Sequence, residues 1–114
     1  MANPLLTPIT IMAGTLLPSS APGTPQFTAT KKTVIKWIEL NNTDSVARTV
    51  TFYTGAVTDA NQVFKVTLDP AGTMGAEQQR ASSAIVEIGV ITVMIADAAS
   101  KVRAAIYGAT FEMV

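Results

Sequence analysis

The sequence predicts an all-β domain, an antiparallel sandwich or barrel, and three observations carry that expectation. Turn-forming residues are dense along the chain: Pro18, Pro22-Gly23, Pro25, Asn41-Asn42, Thr54-Gly55, Asp69-Pro70, Gly72, Gly75, Gly89 and Gly108. The runs between them are short, rich in β-branched and aromatic residues, and several alternate apolar with polar at a period of two. A chain of 114 residues is one domain, long enough to bury about 65% of its unfolded surface without disulfide or metal support.

Taken in order, Thr7, Ile9 and Ile11 alternate weakly, and the Pro/Ser/Gly stretch at 18–25 reads as an irregular loop. Leu5, Leu6, Ile9, Ile11, Leu16 and Leu17 make this N-terminal part apolar. Prolines are a poor continuation of a sheet, so residues 1–25 are expected to be an extended arm and loop that contacts another chain, ahead of a β domain at 26–114. In the next run Val34, Ile38 and Leu40 share one face, interrupted by Lys36, with Ile35 and Trp37 on the other. A strand apolar on both faces is central or lies against a partner.

Asn42, Thr43, Asp44 and Ser45 are turn formers through side-chain to backbone hydrogen bonds, and they set up a hairpin with the run that follows. There Val50 and Phe52 oppose Thr49, Thr51 and Tyr53, the pattern of a half-solvated strand. Phe64, Val66 and Leu68 repeat it and end at Asp69-Pro70-Ala71-Gly72, which suits a type I turn. Ala84, Val86 and Ile88 continue the alternation, and Val90 to Ala96 is apolar on both sides. Residues 97–108 fit two patterns. Ile95, Ala99, Val102 and Ile106 fall at helical spacing between Asp97 and Gly108 as caps, while Val102, Ala104 and Ile106 against Lys101, Arg103, Ala105 and Tyr107 alternate as a strand does.

Composition narrows the chemistry. Cysteine and histidine are both absent, which removes the usual zinc ligands, the thiolate nucleophile and the commonest acid/base group. The serines lack a histidine base, and Glu39, Glu87 and Glu112 stand singly in strand-like runs. Asp59 with Asn61 falls short of the oxygen ligands a calcium site needs, and Asn41-Asn42-Thr43 is only a three-residue glycosylation pattern. No enzymatic activity, cofactor or metal is expected. Eight basic residues balance eight acidic ones, so there is no basic patch to exchange for the counterions of nucleic acid. The 84–96 run is too short for a membrane helix and carries Glu87. The N-terminus lacks the basic region of a signal peptide and is broken by Pro4 and Pro8, so a soluble, unprocessed chain is expected. Charged residues make up 14% of the chain and mean hydropathy is +0.35. An average domain carries about 25% charge, and so bland a surface favours permanent assembly.

The stretch TVIKWIELNNTDSVARTVTFY at 33–53 resembles a group of small virion proteins of tailed phages, in which a strand ending in Asn is followed by a TDSxARTVT return strand. VFKVTLDPAGT and IYGATFEMV continue the likeness to the end of the chain, which departs from the group at Val90, where many members carry Gly-Asp. The resemblance implies an antiparallel β-sandwich of jelly-roll type whose last strand spans 101–113. It also implies a structural role on the particle: a capsid decoration, or cement, protein on the outer surface of the virion. Such a protein is made in the host cytoplasm, is a homotrimer, and bridges subunits of the major capsid protein, with Leu5, Leu6, Ile9, Ile11, Leu16, Leu17 and Trp37 as candidate interface residues. The alternatives are a tail, baseplate or fibre component with a glycan-binding face near Trp37 and Tyr53, or a free carbohydrate-binding module.

Overall fold

The computed structural model describes residues 4–22 and 26–113. The last three residues of the expected 18–25 loop, with the boundary at residue 25, and the side chain of Glu112 lie outside the described residues. Among the described residues nine strands run β1 (Pro4–Leu16), β2 (Phe27–Thr28), β3 (Thr33–Asn42), β4 (Arg48–Thr54), β5 (Gln62–Leu68), β6 (Glu77–Ala81), β7 (Ile85–Val86), β8 (Ile91–Ala96) and β9 (Val102–Met113). They form two antiparallel sheets, one ordered β1-β9-β3-β6 with β7 also on β3, the other ordered β2-β8-β4-β5. No α-helix occurs among the described residues.

One core lies between the sheets. Ile11, Met12, Ile35, Ile38, Leu40 and Ile106 come from the first, and Val50, Phe52, Leu68 and Met94 from the second. Phe64 on β5 stacks on Phe52 at 5.6 Å, and the Arg80 guanidinium covers its other side at 4.3 Å, closing the open edge between β6 and β5. The double-sided apolar runs sit where expected: β3 is flanked by β9 and β6, and β8 by β2 and β4.

Four expectations are corrected. The 33–53 stretch is not a hairpin, because β3 and β4 belong to different sheets and the Asn42–Ser45 corner carries the chain from one to the other. The faces of β3 also differ from the simple alternation. Ile35 is opposite Gly108 and Trp37 opposite Tyr107, so Lys36 is an extra, bulged residue. Past it the parity inverts: Ile35, Ile38 and Leu40 are in the core, and Trp37 and Glu39 face out. The turn after β5 falls one residue late, with Thr73 N–H bonded to the Pro70 carbonyl and Gly72 at φ +86°, as a type II turn requires. Residues 97–108 resolve into a turn, with Ser100 at φ 59°, followed by β9.

The fourth correction concerns the arm. Residues 4–16 pair along β9 from Pro4 opposite Met113 to Leu16 opposite Arg103, and Ile11, Met12 and Leu17 are buried in the common core. The prolines fit because of their position on an edge. Phe111 donates its N–H to the Lys32 carbonyl, so Leu6 opposite it, and with it Pro4 and Pro8, turn their backbone polar groups away from β9. Two missing N–H groups therefore cost no ladder bond and blunt the free edge.

Candidate functional site

The outer face of the β1-β9-β3-β6 sheet gathers the exposed apolar side chains. Leu6 is opposite Phe111, Val34 opposite both Ala109 and Ile85, and Trp37 opposite both Tyr107 and Ala81. Trp37 is 37% exposed, Tyr107 38%, Ile85 43% and Leu6 45%, whereas Val34, Ala105 and Ala109 form a sealed floor between them. Trp37 donates its indole N–H to the Glu39 carboxylate at 3.3 Å, holding the ring along β3. Beyond Tyr107 the face turns polar, and Glu39, Asn41, Glu77, Gln79 and Arg103 line a shallow concavity of about 290 Å3. Arg103, Glu39 and Glu77 make no ion pair among the described residues.

The seven candidate interface residues therefore divide. Leu5, Leu6, Leu16 and Trp37 are exposed, Ile9 packs against the core, and Ile11 and Leu17 are inside it. Trp37 and Tyr53 do not share a surface, because Tyr53 lies on β4 of the other sheet. The neighbour of Trp37 is Tyr107: their pairing depends on the bulge at Lys36, and no residue type announces one.

One end of the molecule is built on the 42–48 corner. The buried Asn42 amide donates to the carbonyls of Val46 at 2.9 Å and Asp69 at 3.0 Å and accepts the Asp44 N–H at 2.9 Å. Thr43 is tied to the Lys101 carbonyl by its N–H and its hydroxyl. Arg48 grips one Asp44 oxygen with Nε at 2.8 Å and Nη2 at 2.6 Å and lies 3.8 Å from Asp97. The hydrogen bonds from Arg48 hold the Asp44 carboxyl below the usual carboxylate range. Asn42, Thr43 and Asp44 are thus occupied in joining three loops, while Asn41, the residue a sequon would modify, lines the concavity. Asn61 likewise spends its amide on the Ala56 carbonyl and the Thr58 hydroxyl within its own turn.

Among the described residues no group of His, Cys, Asp and Glu could hold a metal ion, and no helix is long and apolar enough to cross a membrane. No family model matches the chain, and neither a curated protein nor a solved structure matches it.

Proposed function

We propose that the protein is a structural component of a tailed-phage virion, a decoration protein that stabilises the head by bridging subunits of the major capsid protein. The strand orders support reading its two sheets as a jelly roll: with β6 and β7 counted as one broken strand, they are those of an eight-stranded double Greek key, a scaffold common in capsid and lectin domains. Fold alone does not assign a role.

The observation that carries the reading is the shared end of β1 and β9. β3 begins at Thr33, opposite Thr110, while β9 runs on along β1 to Met113, with Phe111 the last residue bonded on the β3 side, to the Lys32 carbonyl. The two strands project as a ribbon on a molecule 54 Å long, and Leu5 and Leu6 on it are 48% and 45% exposed. An apolar ribbon on a chain with 14% charged residues suits insertion between neighbouring capsid subunits, where burial contributes about 25 cal/mol per Å2. The test is rebinding of the purified chain to phage heads stripped of it. Leu5→Ser with Leu6→Ser should fold normally and lose occupancy; undiminished occupancy would defeat the proposal. A tail or fibre role with a glycan face is the second reading, and the polar concavity beside Trp37 and Tyr107 favours it.

A further inference from the structure

We infer that the outer face of the β1-β9-β3-β6 sheet is a self-complementary interface on which a second copy of this chain packs, with a twofold axis parallel to the strands between β9 and β3. The inference concerns the chain in solution and does not rest on the virion reading.

The size of the face is the first ground. Four strands at about 4.8 Å spacing and a ten-residue β3 at about 3.3 Å per residue give a footprint of roughly 19 by 33 Å, before the ribbon is added. Its accessible area is therefore on the scale of the ~800 Å2 per partner of a standard interface. Its anatomy matches as well. Trp37 and Tyr107 stand side by side near the centre over a floor of small sealed residues, with polar groups at one end. Trp, Tyr and Arg at the centre of a contact are the residues that dominate binding energy.

Charge selects the partner and the axis. A rotation about the strand direction keeps apolar rows against apolar rows and the polar end against the polar end, and it exchanges β9 with β3 and β1 with β6. Trp37 of one copy then meets Tyr107 of the other. Arg103 falls opposite Asn41 of the second copy, one residue row from its Glu39 and one strand from its Glu77. Among the described residues none of these three charges has an ion pair within its own chain. A twofold axis across the strands would instead set the charged end against Leu6 and Phe111. Because the face complements itself, the contact closes in pairs, whereas a threefold ring would need two different surfaces.

The chain has a single tryptophan, so its fluorescence reports this face directly. On serial dilution, sedimentation equilibrium should show a monomer–dimer equilibrium, and Trp37 emission should shift to the red as dimers part. Tyr107→Lys should weaken the dimer at least about tenfold, and Trp37→Lys should do so by sedimentation alone. Val63→Lys, on β5 of the other sheet, should leave it unchanged. Arg103→Glu should weaken association and Arg103→Glu with Glu39→Arg should restore it. Circular dichroism identifies any variant that fails to fold, and the two aromatic substitutions are independent of each other. A monomer at every concentration, a threefold species, or a dimer indifferent to both aromatic substitutions would overturn the inference. A monomer whose tryptophan emission answers to added oligosaccharide would also overturn it, in favour of a glycan face.

Discussion

At Asn42 a single amide holds three segments of chain, and the physical consequence is a large penalty for small changes. Its two donors satisfy the Val46 and Asp69 carbonyls and its oxygen takes the Asp44 N–H. Asn42→Ala would orphan all three, and Asn42→Asp would set a carboxylate against two carbonyls. Each unsatisfied buried group costs about 1–3 kcal/mol, so both variants should lose roughly 2–4 kcal/mol in urea denaturation, after allowing for water reaching the corner. The neighbouring ion pair makes a pH signature. Arg48 lowers the Asp44 pKa below its ordinary value of 3.8, so the folded state is favoured above that pH and the advantage is lost as pH falls through the lower folded value. Arg48→Gln should therefore be less stable than the parent chain at pH 5 to 7, and the two stability curves should draw together as pH falls below 3.8. Curves that stay parallel to pH 2 would assign Arg48 a purely packing role.

At the scale of elements, β3 and β9 show how one residue decides a face. Gly108 lies where the β3 bulge brings the strands close, and a Cβ built there would run into the Val34 carbonyl and the Ile11 Cδ1. The Ile11 side chain can turn aside but the backbone carbonyl cannot, so Gly108→Ala should cost about 1–3 kcal/mol. That corresponds to a fall of about 4 °C or more in Tm by scanning calorimetry. Strand existence was legible in the alternation of Val50-Phe52 and Phe64-Val66-Leu68, because one buried face imposes a period of two. The bulge at Lys36 was not legible, since it depends on register with β9 rather than on residue type. The expected arm failed for a related reason: Pro4 and Pro8 read as breakers of a sheet, and only the pairing shows that their nitrogens face the free edge. Of the candidate site, Leu5, Leu6, Leu16 and Trp37 were legible as apolar residues needing cover, while Ile11 and Leu17 had already found it inside the chain.

For the whole molecule, the balance of eight basic against eight acidic residues decides what can hold it to a partner. With no net charge there is no long-range field to steer or anchor it. Exposed ion pairs such as Lys32 with Glu87, 3.7 Å apart and both well solvated, are worth about 0–1 kcal/mol and fade with salt. In the proposed decoration role, attachment rests on apolar contact through Leu5 and Leu6, which salt does not screen. Occupancy on a phage head should therefore change little between low and roughly molar sodium chloride, and fall in urea below the concentration that unfolds the chain, because urea solvates apolar and peptide groups. Neutralising Lys36 and Lys65, both exposed, should matter less than Leu5→Ser with Leu6→Ser. The measurement is bound chain per head after washing, set beside circular dichroism of the released protein to show that it is still folded. Release that tracked ionic strength, with the lysine variant the more damaged, would make attachment electrostatic and leave the low charge content without its explanation.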